Sequence, residues 1–177
     1  GGRGPPGFRG GPEDGPRWVP VDAQIAVFEK GEAYSVPPTD PEGKRIDATK
    51  EYIDSLNATL GDRAGVVQFS SKFRWGARVT HGISGDLSAV KNSFDAFNDG
   101  GTNIAAGINR GTDQFRDTPS DGNERVMILM SDGYNSNIID NLRARAQARR
   151  AKDLNVTIYT VGLGSAVDDE LLRWIAD

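Results

Sequence analysis

The sequence predicts an α/β fold, a doubly wound and mainly parallel sheet with helices on both faces, and three observations carry that prediction. Residues 126–130, Val-Met-Ile-Leu-Met, run apolar without a polar break. A strand with one wet face would alternate, so this run suits a central parallel strand covered on both sides. Similar apolar runs at 64–69 and 156–161 are separated from it by segments of helical period. Strands that alternate with helices imply right-handed crossovers and parallel pairing. Last, the run at 126–130 stops at once on Ser131-Asp132-Gly133. A carboxylate then sits at the carboxyl end of a strand, where open parallel sheets bind their ligands. Asp132 and Gly133 also favour turns for local reasons, and on this stretch alone the two readings stand level.

Composition bounds the rest. A length of 177 residues suits one domain preceded by a tail. Hydrophobic residues make up 37% and charged residues 26%, enough for one lean core. A net charge of -4 and an isoelectric point near 5.1 argue against non-specific binding to nucleic acid or to an anionic membrane. The chain has no cysteine, which excludes disulfides, thiolate catalysis and cysteine metal sites and fits an intracellular or an exported protein alike. No apolar run approaches ~18 residues, so no membrane span is expected.

In chain order, the first 16 residues hold seven glycines and four prolines, with Phe8 the one sizeable apolar side chain. Such a stretch cannot bury enough surface to offset its ordering entropy, so 1–18 is expected to be a flexible tail and 19–177 the domain. A strand is expected over 19–28 and a loop over 29–38. Asp40 and Pro41 form a helix start, the N-cap and the first helical position. Ile46, Ile53, Leu56 and Leu60 mark one face of that helix, and Gly61 is expected to end it. The strand at 64–69 follows, then a short polar-alternating edge strand at 73–80, antiparallel near Arg78, with His81 and Gly82 beyond it. Residues 86–98 read as a helix carrying Leu87, Val90, Phe94 and Phe97, and 100–103 as a turn. In the helix predicted over 104–115, Ile104, Ile108 and Phe115 point inward, and Ala105, Ala106, Gly107 and Gly111 let it lie close to the sheet. Helices at 138–152 and 168–176 flank the last strand; the second carries Leu171, Leu172 and Ile175.

Four phrases in this order resemble the von Willebrand factor A-type (vWA) domain: 63–70 (Arg-Ala-Gly-Val-Val-Gln-Phe-Ser), 100–108 (Gly-Gly-Thr-Asn-Ile-Ala-Ala-Gly-Ile), 126–133 (Val-Met-Ile-Leu-Met-Ser-Asp-Gly) and 156–164 (Val-Thr-Ile-Tyr-Thr-Val-Gly-Leu-Gly). The likeness spans roughly residues 21 to 177 and implies a Rossmann-like sheet that binds a protein or matrix ligand. In many such domains the ligand is held through a metal-ion-dependent adhesion site on top of the sheet. Three loops build that site: Asp-x-Ser-x-Ser after the first strand, a threonine before a helix, and an aspartate after the central strand. The usual ion is Mg2+, which takes hard oxygen ligands and keeps a position open for an acidic side chain of the partner. The family also usually adds one more strand after the helix at 168–176. The edge beside 156–161 is therefore expected to be unpaired, or closed by Val19 or Val21.

Residue by residue, the resemblance makes Thr102 the threonine and Asp132 the aspartate. The first loop departs from the pattern. Glu29 keeps a carboxylate, but Gly31 and Ala33 stand where the two hydroxyls belong. A register shifted by two gives Gly31, Ala33 and Ser35, which recovers one hydroxyl and loses the carboxylate. Thr102, Asp132 and Glu29 are thus the candidate metal ligands of a degenerate site, with Lys30 placed to neutralise Asp132. The same three residues and Tyr134, two positions past Asp132, are the candidate ligand contacts. No cofactor is expected; Mg2+ is the ion that a working site would take.

Rival readings are weaker. Catalysis has no nucleophile–base pair to point to, because His81 stands alone and Glu29, Glu32 and Asp132 offer only carboxylates. Gly162-Leu163-Gly164 lacks the third glycine of a dinucleotide loop and follows the last strand, so it reads as a tight turn. Arg143, Arg145, Arg149, Arg150 and Lys152 read as a solvated helix face, with Ala144, Ala146, Ala148 and Ala151 on the buried side. Trp75, Tyr134 and Trp174 are the aromatics expected at the surface. The leading expectation is a non-enzymatic protein-binding module. Its rivals are a working Mg2+-dependent site and an accessory subunit of an ATP-driven or metal-insertion machine.

Overall fold

The computed structural model describes residues 21–29, 44–71, 73–94, 101–119, 122–131, 138–163 and 167–177. Among them the chain runs β1 (Val21–Glu29), α1 (Lys44–Asp54), β2 (Ala64–Phe69), β3 (Ala77–Ser84), α2 (Leu87–Lys91), α3 (Ile104–Asp117), β4 (Glu124–Ser131), α4 (Ile138–Lys152), β5 (Val156–Gly162) and α5 (Asp169–Ala176). The strands form one sheet in the order β3-β2-β1-β4-β5, parallel except for β3. The doubly wound α/β class is therefore as the apolar runs predict. The run at 126–130 is an interior strand with parallel neighbours on both edges, as its apolar pattern predicts. β1 is the middle strand, and β4 lies between β1 and β5. An apolar run records burial on both faces, which several interior strands share, and does not rank them.

Other boundaries shift for local reasons. β3 starts at Ala77 and takes in His81 and Gly82, which sequence alternation leaves outside the strand. It can run that far because Gly65 of β2 has no side chain; a Cβ there would lie 3.0 Å from the Ile83 amide nitrogen. Helix α1 stops at Asp54 and not at Gly61. The Ser55 hydroxyl donates back to the Tyr52 carbonyl at 2.6 Å, and Asn57 opens a separate turn by accepting from the Thr59 amide at 3.0 Å. Gly61, at φ 94°, closes that short 3-10 turn, and Leu60 is exposed. The tail, Val19, Asp40, Pro41 and Phe97 lie outside the described residues.

The two faces of the sheet are covered unequally. On one, Val67, Phe69, Met127, Leu129, Val156 and Ile158 meet α3, α4 and α5 in a single core. Gly107 and Gly111 are buried, as close approach of α3 requires. Helix α4 packs through Ala144, Ala148 and Ala151, each fully buried, while Ala146 is exposed, two residues out of phase with that stripe. Trp174 is a correction. It is half-buried between the Arg145 and Arg149 guanidiniums, each 5.1 Å from its ring. On the opposite face Ile53, Ala64, Val66 and Val90 make a smaller cluster.

Between α1 and the β4–β5 half of that second face lies an apolar groove of about 220 Å³, lined by Thr49, Tyr52, Ile53, Ile128, Met130 and Val161. Burial, then Asp62 and Tyr159, raise the Tyr52 phenol above its ordinary pKa. Val21 pairs with Glu124 of β4, so it does not close the edge beside β5. Among the described residues no strand pairs with that outer edge.

The unequal covering gives a stability contrast. Leu129→Ala is expected to cost about 3 kcal/mol, the range for truncating a buried leucine. Tyr159→Ala, at a position 57% exposed, is expected to stay within about 0.5 kcal/mol. Guanidinium denaturation of both variants checks the pair.

Candidate functional site

Register fixes one rim of the sheet. Glu29 pairs with Phe69, Val27 with Leu129, and Ser131 with Gly162, so β1, β2, β4 and β5 end at the same level. The Leu163 amide donates to the Ser131 carbonyl at 2.9 Å and extends the last ladder past that level. Ser131 is fully buried, and the next residue in the chain is Asp132. Asp132 and Tyr134 lie outside the described residues; Glu29 is described only as the last residue of β1. The carboxyl ends of parallel strands beside the point where strand order reverses are where such sheets bind ligands. Here that point falls between β1 and β4, the two strands whose ends carry Glu29 and precede Asp132.

Thr102 is brought to the same rim by a clasp. The Ser71 amide donates to the Gly101 carbonyl at 2.7 Å, and the Gly101 amide donates to the Ser71 hydroxyl at 2.7 Å. Ser71 stands two residues past Phe69, so the residue before Thr102 is tied directly to the end of β2. On its other side Thr102 is followed by the N-cap of α3. The Asn103 side chain accepts from the Ala106 amide at 3.1 Å, which satisfies one of the helix's orphan donors. Thr102 itself is 7% exposed, a buried hydroxyl held between two anchored neighbours. The amino-terminal turn of the 14-residue α3 sets its partial positive charge beside that hydroxyl.

The turn from β2 to β3 supports the clasp. The Ser70 amide donates to the Gly76 carbonyl, Phe73 to the Ser70 carbonyl and Gly76 to the Phe73 carbonyl, at 2.9 to 3.1 Å. Gly76 has φ 73°, and a Cβ on it would fall 2.4 Å from the Asn103 amide nitrogen Nδ2 and 2.7 Å from Ala106 Cβ. Only glycine fits a left-handed position that close to the side chains at the start of α3. Sequence reasoning missed this arrangement; the paired serines after an apolar strand and the paired glycines at 100 and 101 were its one visible trace. Trp75, expected at the surface, is 71% exposed on this turn.

Two expected features fall elsewhere. His81 sits within β3 with Nδ1 2.7 Å from the Gly82 carbonyl oxygen, away from the rim. Gly162 ends β5, where a Cβ would meet Val167 Cγ1 at 2.8 Å; residues 164–166 of the expected turn lie outside the described residues. The arginines of α4 have partners on and off the helix: Arg143 pairs with Asp140 of α4 at 3.2 Å, and Arg150 with Asp113 at 3.0 Å and with Asn109, both on α3.

A five-stranded, doubly wound sheet with a buried threonine one residue before the N-cap of α3 at its carboxyl rim defines a domain of the Rossmann-like α/β class. The family comparison is specific: residues 34–177 match the von Willebrand factor type A domain, and the chain belongs to that family. No curated protein sequence matches it. Among solved structures it is similar to proximal thread matrix protein 1 from the mussel byssus in a form with a zinc-occupied MIDAS motif. That match has TM-score 0.71 and 23% identity, and covers 89% of this chain and 41% of that one. It is also similar to a von Willebrand factor type A structure from Catenulispora acidiphila, at TM-score 0.67, 22% identity, 89% of this chain and 36% of that one. Manganese-loaded TRAP protein of Plasmodium vivax matches at TM-score 0.63 and 19% identity, with 89% and 63% covered. These likenesses establish the fold. The chain spans less than half the length of the mussel protein.

The clasp yields the next expected outcome. Gly76→Ala should destabilise by about 2 kcal/mol or more, because it strains a left-handed residue and displaces the Asn103 cap. Gly61→Ala, also left-handed at φ 94° but with nothing within 4 Å, should cost about 1 kcal/mol. Chemical denaturation of the two variants side by side separates backbone strain from the collision.

Proposed function

We propose that this chain is a non-enzymatic protein-binding domain that presents its strand-end rim to a partner and whose metal-ion-dependent adhesion site is degenerate. Placement of exposed apolar side chains carries the binding half of that reading. Trp75 follows the end of β2, and Ile138, Ile139 and Leu142 open α4 just beyond the end of β4; they are 71%, 76%, 56% and 60% exposed. Apolar side chains gathered at a polar rim mark interaction surfaces.

The donor set carries the metal half. The strand β1 extends to Glu29, which favours the register that puts Glu29 at the aspartate position and Gly31 and Ala33 at the two hydroxyl positions. Magnesium requires near-octahedral oxygen geometry and releases its waters reluctantly, so each missing fixed oxygen weakens the site. Thr102 and Asp132 supply donors from two loops, and Glu29, one methylene longer than aspartate, must fold back to join them. These residues do not fit the ion well. Lys30, one residue past Glu29, supplies charge of the sign that would offset Asp132 in the ion's absence. Retention of Thr102 at the capped start of α3 favours the second reading, a working site.

Isothermal titration decides between them. With Mg2+ or Mn2+ the expected result is no saturable heat up to roughly millimolar ion, the weak end of divalent sites, and the same trace for Asp132→Ala. Saturable binding tighter than that, abolished in Asp132→Ala, would establish the working site and sink the degenerate one.

A further inference from the structure

We propose that the β2–β3 turn is a docking surface for an acidic protein segment, with Trp75 as its apolar anchor and Arg74 as its charge partner. The proposal rests on the reading of the chain as a protein-binding domain and names what that rim takes.

The charge distribution is the first observation. The chain carries 25 acidic residues, yet none falls between Asp62 and Asp86, a stretch that holds Arg63, Lys72, Arg74 and Arg78. Arg63 lies at the far end of β2, where it donates to the Pro119 carbonyl, so the turn end of this acid-free hairpin carries Lys72, Arg74 and Arg78 in a molecule of net charge -4. Geometry is the second. The Arg74 guanidinium lies 5.0 Å from the Trp75 ring, and the Arg78 guanidinium 4.8 Å from the Phe73 ring. Arg78 also donates to the Gln68 side chain at 2.9 Å and so is spoken for. Arg74 is exposed, and among the described residues it forms no ion pair. Its charge is left for an outside carboxylate.

Rigidity is the third. Three backbone hydrogen bonds close the turn, the Ser71–Gly101 clasp ties it to the start of α3, and Gly76 has no room to move. Trp75 is thus presented at 71% exposure on a turn tied by these bonds. Large aromatics pre-set on a rigid frame, with arginine beside them, have the composition and low ordering cost of binding hot spots. One exposed tryptophan and one unpaired arginine on an acidic molecule suit a short peptide segment better than a nucleic-acid strand, which needs a continuous basic track with several stacking rings.

The test is an NMR titration of the whole 15N-labelled chain in EDTA with a synthetic peptide of glutamates flanking a single leucine. The Trp75 indole N–H and Arg74 side-chain signals are expected to shift and saturate, with weaker binding as salt rises through the range in which a surface charge is screened. Trp75→Ala and Arg74→Glu should each weaken the interaction by about tenfold or more, whereas Trp75→Phe should stay within about threefold. Replacing the glutamates by glutamines should also weaken it by about tenfold. No shift, shifts indifferent to both substitutions, or tighter binding at Trp75 by single-stranded oligothymidylate or by phosphatidylserine vesicles would overturn the proposal. Because EDTA removes any ion, loss of this signal while a protein partner still binds the rim in magnesium condemns the Trp75 surface alone.

Discussion

Parallel hydrogen bonding of β1 to β2 along one edge and to β4 along the other is the constraint on which the rest of this molecule depends. The ladders run from Gln24↔Ala64 to Glu29↔Phe69 on one side and through Val27↔Leu129 on the other. Parallel neighbours cannot be joined by a tight turn, so each connection must travel back along the sheet as a crossover, and helices end up on both faces. The same pairing forces every parallel strand to finish at one rim. A slip of one residue would exchange the two faces of a strand, which the buried sets Val67, Phe69 and Ala64, Val66 forbid. The antiparallel β3 is permitted because it lies at the edge, and its reversal puts the 70–76 turn at that rim as well.

The rim is then locked by backbone polar groups more than by side-chain burial. Ser71 and Gly101 exchange two hydrogen bonds between segments thirty residues apart, and Asn103 caps the helix that follows. Ser71 is exposed and Gly101 half-buried, so the paired bonds hold the loop through their geometry rather than through desolvation. Thr102 inherits its position from these neighbours. Gly76 belongs to the same assembly, since its missing side chain is what lets the turn close onto Asn103 and Ala106.

The class of fold was legible in the sequence because near-continuous apolar runs and helical spacing report burial directly. Helix α4 was found with both ends in place, and the glycines of α3 were rightly taken as a close-packing surface. What failed to show was anything set by a long-range partner. The place of β1 at the centre depends on which strands neighbour which. Extension of β3 through His81 depends on a glycine in the opposite strand. Trp174 looked like a surface aromatic until two arginines of another helix closed over it. The position of Thr102 just ahead of a helix was legible from the Gly-Gly-Thr-Asn phrase, and the clasp behind it was not. A hydrogen bond between a serine and a distant glycine leaves no periodic trace.

Charge connects the two surfaces of the rim. In a site that holds a divalent ion, the ion cancels the domain's own carboxylates and attracts the partner's. Without fixed hydroxyls at 31 and 33, that compensation falls to side chains and to the helix terminus at Thr102, worth only a fraction of one charge. An acidic partner approaching Glu29 and Asp132 directly would then meet like charge. The adjacent hairpin, basic from Arg63 to Arg78 and free of acids up to Asp86, offers the opposite sign on a frame tied by two hydrogen bonds to the residue before Thr102. On the proposed reading, the oxygen donors missing from the first loop and the positive charge on the second are compatible parts of one electrostatic arrangement.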